Sequence, residues 1–193
     1  MMTRPYTKRK RAENETETRD RIVAAALALH GEVGPNRTTV SMIADRAGVQ
    51  RHTVYAHLPD ERSILMACSG MHAEQSPPPS PEAWAGINDP EPRLRAALAA
   101  LYAWYEPNEA VFSHVARDAE TNPIVREVTG LRFAPPLAAI FASAATGLGP
   151  KAHAALRLAL SFYTWRSLVR EAGLSPADAV TLMSRTVLAA DTA

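Results

Sequence analysis

Apolar residues recur at helical spacing along almost the whole chain, and no useful length alternates apolar with polar residues as a half-buried strand requires. That pattern restricts the 193-residue sequence to an all-α fold. The length suits one ordinary domain, or a small domain with a larger one built on it. Hydrophobic residues make up 47% and charged residues 21%, which argues against disorder throughout. No apolar run approaches the length of a bilayer span, and the N-terminus is basic and polar rather than signal-like. The expected setting is the cytoplasm, with no membrane partner. A single cysteine, Cys68, excludes an internal disulfide and fits a reducing compartment.

Caps and breakers divide the pattern. Asn14-Glu15-Thr16-Glu17 places Glu three positions after a cap residue, and Ile22, Val23, Ala26, Leu27 and His30 then keep helical spacing until Gly31 and Gly34. Residues 1–13 read as a disordered basic arm built on Arg4 and Lys8-Arg9-Lys10-Arg11, suited to phosphate or minor-groove contact. Thr38 or Thr39 caps a second helix with Val40, Ile43, Ala44 and Ala47 on one face. Gly48 turns into a short third helix held by Val54 and Leu58, and Pro59-Asp60 begins a fourth. The Pro-rich run Ser76 to Pro81 leads an extended connection to about Pro92, with a local turn at Trp84.

Beyond it the spacing predicts helices over Leu94–Glu106 and Asn108–Glu120. Another starts after Asn122-Pro123 and is bent or interrupted at Pro135-Pro136. Lys151 to Ala172 reads as one helix apolar on several faces, and Ser175-Pro176 restarts a last one. Two terminal helices joined by a short loop, one of them too apolar for a monomer surface, predict a helical homodimer interface, with Leu158, Trp165, Leu182, Met183 and Thr186 as its candidates.

Val40 to Leu58 has helix-turn-helix spacing. Ala44 lets two helices cross closely, Gly48 accepts positive φ, and a buried Val54 leaves Gln50, Arg51, His52, Thr53, Tyr55 and His57 outward. Duplex DNA is the partner that matches this face. Arg pairs with guanine edges, Gln with adenine and Thr with the thymine methyl, while Tyr and Thr hydroxyls reach phosphates. The charge distribution agrees, at +3 over residues 1–66 and −2 over 67–193.

Thr38-Thr39-Val40, Ile43-Ala44, Ala47-Gly48-Val49, Thr53-Val54-Tyr55 and Leu58-Pro59, followed by Ile64-Leu65, resemble the N-terminal domain of the tetracycline-repressor (TetR) family of bacterial transcriptional regulators. The resemblance covers roughly Thr18 to Met66. The Phe162-Tyr163-x-Trp165-Arg166-Ser167-Leu168-Val169 stretch, with Gly173-Leu174-Ser175, is similar to the dimer-forming end of many members. The resemblance implies a three-helix DNA-binding domain over residues 14–66 and a larger helical effector-binding and dimerisation domain over 67–193. It implies a homodimer whose recognition helices enter successive major grooves of a palindromic operator about 34–36 Å apart, released as a repressor by a small molecule. By residue, it implies Thr39, Tyr55 and His57 on phosphates, and Gln50, Arg51, His52 and Thr53 nearest the bases. One departure stands out. Members usually carry a Lys just after the cap of the fourth helix, where this chain has Asp60-Glu61-Arg62; Glu61 repels a phosphate and Arg62 is the candidate substitute.

For the effector, the resemblance points to the larger domain. There Tyr102, Tyr105, Phe112, Phe133, Phe141 and Phe162 supply aromatic surface, and His114, Arg117 and Arg132 supply polar groups. No His pair at helical metal-ligand spacing, nucleophile elbow or phosphate-cradling Gly loop occurs, so neither metal, cofactor nor catalysis is expected. The competing readings are a small helical enzyme that turns over a bound compound, and a dimeric interaction scaffold without DNA binding.

Overall fold

A computed structural model describes the backbone of residues 5–191 and the side chains of 10–191. Among the described residues all regular structure is helical. The helices are α1 (Pro5–Glu32), α2 (Val40–Ala47), α3 (Arg51–His57), α4 (Glu61–Gln75), α5 (Glu82–Ala85), α6 (Pro90–Thr121), α7 (Pro123–Ala144), α8 (Pro150–Ala159), α9 (Phe162–Arg166) and α10 (Pro176–Ala189). A 3-10 turn over Pro35–Arg37 precedes α2, and a π turn over Ser167–Glu171 follows α9.

The chain divides into two compact units. The first runs to Gln75 and includes Ser113–Arg132; the second comprises Ser76–Phe112 and the chain from Phe133 onward. The expected boundary at residue 66 therefore falls inside α4, and a segment expected in the larger domain contributes to the smaller one.

In the first unit, Ile22, Val23, Ala26 and Leu29 of α1 bury against Ile43, Ala44, Ala47, Val54, Leu58 and Ile64. α1 starts at Pro5, so the expectation of a disordered arm is corrected over residues 5–13. Proline suits the first helical position, the Lys, Arg, Ala and Glu that follow have good helix propensity, and Arg11 pairs with Glu15 one turn on. Arg4 and the side chains of Lys8 and Arg9 lie outside the described residues. A second cluster joins Leu65 of α4 to Val125 and Val128 of α7. Polar contacts complete that junction: Asp118 accepts from the Asn36 N–H at 2.9 Å and from Arg117 Nε at 2.8 Å, and His114 Nδ1 lies 3.0 Å from the Gly31 carbonyl.

The second unit is built around Trp84, Leu98, Leu101, Tyr102, Ile140, Leu156 and Trp165. Two expectations about its helices are corrected, and a third, a bend or an interruption at Pro135-Pro136, loses its second alternative. Leu94–Glu106 and Asn108–Glu120 form one helix, α6, with Pro107 inside it. Asn108 Nδ2 donates to the Trp104 carbonyl one turn back at 2.7 Å and to Ser76 Oγ at 2.9 Å, reinforcing the turn that the proline weakens. α7 likewise continues through Pro135 and Pro136 to Ala144. Conversely, the expected single helix over 151–172 is broken, because Ser161 is extended between α8 and α9. Two buried tyrosines account for the break: Tyr102 donates its hydroxyl to the Ala159 carbonyl at 2.9 Å, and Tyr105 donates to the Leu160 carbonyl at 2.7 Å. Carbonyls that lose their intrahelical partners are thereby satisfied inside the core.

Trp165 and Met183, expected at a dimer interface, are 1% and 6% exposed within the protomer's own core. A side chain enclosed by its own protomer cannot also form a subunit contact. Leu158, Leu182 and Thr186 remain on the surface.

Candidate nucleic-acid interface

The site grows from three local devices. Thr39 caps α2, its Oγ1 accepting the Met42 N–H at 3.2 Å, which leaves the hydroxyl proton to donate outward. Gly48 closes the helix at φ 66° and ψ 40°, and the Val49 N–H reaches the Ala44 carbonyl at 3.0 Å, as a left-handed helix stop requires. α3 follows at once, with its first bonds returning to the Gln50 carbonyl.

Val54 is fully buried and orients α3. One face of this two-turn helix is pinned to the core, so its polar residues are directed away. Gln50, Arg51 and His52 are exposed, Tyr55 is 46% exposed, and Thr53 and His57 are half-buried. Among the described residues, the side chains of Gln50, Arg51 and His52 make no hydrogen bond or ion pair. A row of uncommitted donors and acceptors on a short helix is what base-edge recognition in a major groove requires.

The start of α4 is organised differently. Asp60 Oδ1 accepts the Ser63 N–H at 2.7 Å, and the Asp60 N–H donates to Ser63 Oγ at 3.1 Å. Hydrogen bonding of its oxygens by the Ser63 backbone N–H and then the Ser63 hydroxyl holds the Asp60 carboxyl below the usual carboxylate range. Glu61 accepts from Asn122 Nδ2 at 2.8 Å. Arg62, the candidate replacement for the family's lysine, instead directs Nε and Nη2 to Glu127 Oε1 at 3.0 and 2.8 Å. That ion pair neutralises the charge a phosphate would need.

Asn122 is a functional neighbour that sequence reasoning recognised only as a cap. Its Oδ1 accepts the N–H groups of Ile124 and Val125, while Nδ2 donates to Asn36 Oδ1 and to Glu61 Oε1. The Asn-Pro pair was the available signal for the cap; the bonds to residues 61 and 86 positions away had none.

The effector candidates separate. Phe112, Phe133 and Phe162 are half-buried and in ring contact, with centroids 5.7–5.8 Å apart for Phe112 against the other two. Tyr102 and Tyr105 are buried, with hydroxyls committed to the α8–α9 break. His114 and Arg132 belong to the first unit, where they bond the Gly31 carbonyl and, through Arg132 Nη2, the Met66 carbonyl.

The family model described as "Bacterial regulatory proteins, tetR family" matches residues 22–68. Over this stretch the chain is similar to the DNA-binding domain of the TetR family. The match contains all seven residues of the candidate interface and ends at Cys68 of α4. An uncharacterized HTH-type transcriptional regulator of Mycobacterium tuberculosis is 39% identical over 61 residues, which is 32% of this chain and 32% of that protein. The chain thus matches about a third of this curated relative's length. Among solved structures, a tetR-family transcriptional regulator from Streptomyces coelicolor superposes with a TM-score of 0.62 at 17% identity, covering 92% of this chain and 81% of the other. NalD of Pseudomonas aeruginosa, the secondary repressor of the MexAB-OprM multidrug efflux pump, gives 0.60 at 21%, covering 91% and 96%. These structural likenesses show that the helical architecture of the TetR fold extends through both units.

Proposed function

We propose that the protein is a sequence-specific DNA-binding transcriptional regulator, acting as a homodimeric repressor released from a palindromic operator by a small molecule. The observation that carries this reading is the fully buried Val54 beneath α3, which aims an uncommitted polar face outward from a helix-turn-helix matched by the TetR family. Gln50, Arg51, His52 and Thr53 contact bases, and Thr39, Tyr55 and His57 contact phosphates. The exposed residues Leu158, Leu182 and Thr186 of α8 and α10 provide the surface for a second copy. The effector's aromatic contacts are Phe112, Phe133 and Phe162, whose half-buried rings retain surface for a ligand.

The decisive experiment is selection of bound duplexes from a random DNA pool at near-physiological salt. Enrichment of an inverted repeat is expected. Absence of both enrichment and salt-sensitive binding would overturn the reading in favour of the enzyme or the scaffold.

A further inference from the structure

The first unit carries a half-open cavity of about 280 Å³ beside the candidate interface, lined by the end of α1, the 3-10 turn, Tyr55 of α3 and the starts of α2 and α4. Its apolar lining includes Ile43, Ile64 and Leu65, each no more than 6% exposed. Its polar lining includes Asp60 and Glu61, both exposed, with Tyr55 of α3 and the buried His30. No lysine or arginine lines it.

His30 adds no positive charge at neutral pH. Burial pushes its pKa down to about 4, and its Nδ1 faces Cys68 Sγ at 3.3 Å. Asp60 is ionised, since Ser63 holds its carboxyl low. The cavity therefore combines an apolar floor with two acidic side chains and no basic partner among its lining residues. Such a lining suits a small apolar body against the floor and a positive head group at the acidic rim.

We propose that this cavity binds a small organic monocation with a planar or short apolar body. The site lies within the DNA-binding unit and is separate from the aromatic cluster assigned to the effector.

Benzamidinium is a suitable probe, and benzamide is its neutral near-isostere. The full-length chain contains six isoleucines, of which Ile43 and Ile64 line the cavity, so selective Ile δ1-methyl labelling both localises and titrates binding. Benzamidinium is expected to shift the Ile43 and Ile64 signals saturably, with Kd about 0.1–1 mM for so small a ligand. The double variant Asp60→Asn/Glu61→Gln keeps an amide cap and a carbonyl acceptor for Asn122 while removing both charges. Its affinity for benzamidinium should fall about tenfold or more, with its melting temperature recorded as a folding control. Benzamide should bind the native chain weaker by a similar factor.

No saturable shift up to about 10 mM, shifts confined to the other isoleucines, or equal affinity for benzamide would each overturn the proposal. Equal benzamidinium affinity in a folded double variant would do the same. If that variant does not fold, the benzamide comparison on the native chain decides. The titration contains no DNA, so its failure leaves the regulator reading standing, and failed duplex selection leaves this site standing.

Discussion

Tyr55 is half exposed on a helix whose opposite side is sealed by Val54, and among the described residues its hydroxyl makes no hydrogen bond. Tyr55→Phe therefore removes one donor from the proposed phosphate contacts without opening the core. Operator affinity in a mobility-shift titration should fall about threefold to tenfold, with the melting temperature nearly unchanged. His30 gives a prediction of another kind. Its proton is taken up near pH 4 in the folded chain and near the ordinary 6.5 in the unfolded one. Between those values the unfolded chain binds more protons, so this residue's stabilising contribution is complete above pH 6.5 and is lost as pH falls towards 4. The loss should total about 3 kcal/mol. Urea unfolding at stepped pH measures it, and His30→Gln should flatten the dependence across that window. The exposed residues of α3 were legible in the sequence because each follows from one short helix and its period. The neutral state of His30 was not, because it is created by burial against α4.

At the scale of elements, α2, the Gly48 turn and α3 follow their sequence signals closely, while α8 and α9 do not. Leu160 and Ser161 carry no Pro or Gly between them, and the apolar spacing runs straight across the break. The Tyr102 and Tyr105 hydroxyls on α6 stabilise the broken form by pairing carbonyls that otherwise would be orphaned in the core. Tyr102→Phe and Tyr105→Phe should each destabilise the fold by about 1–2 kcal/mol in urea denaturation. The double variant should depart from additivity, since both act on one break. If both single variants unfold like the native chain, the hydroxyls are incidental to the break. The same reasoning explains why Pro107 failed to end α6. Its helix-breaking character is real, but the core on either side and the Asn108 side-chain bonds favour continuity.

For the whole molecule, the expected dimer surface divides by burial. Leu158 and Leu182 are 59% and 46% exposed, whereas Trp165 and Met183 are enclosed. Leu158→Glu/Leu182→Glu should convert a dimer to a monomer in sedimentation experiments while leaving the helical circular dichroism intact. Trp165→Ala should instead destabilise the protomer itself, by about 3–5 kcal/mol. A dimer that survives the double charge substitution would exclude this face as the subunit contact.

The sequence by itself determined the helical class, the caps at Asp60 and Ser175, a Thr cap for α2 at position 38 or 39, the left-handed stop at Gly48 and the outward face of α3. Each depends on groups within a few residues of one another, and local sterics and hydrogen bonding decide such features before any distant contact forms. Tertiary structure alone decided the helix break at Ser161, the continuity of α6 through Pro107 and which apolar side chains of α8 to α10 face inward. It also decided the division that gives Ser113–Arg132 to the first unit. Those outcomes depend on partners such as Tyr102 and Ala159, 57 positions apart, whose approach no local period or propensity encodes.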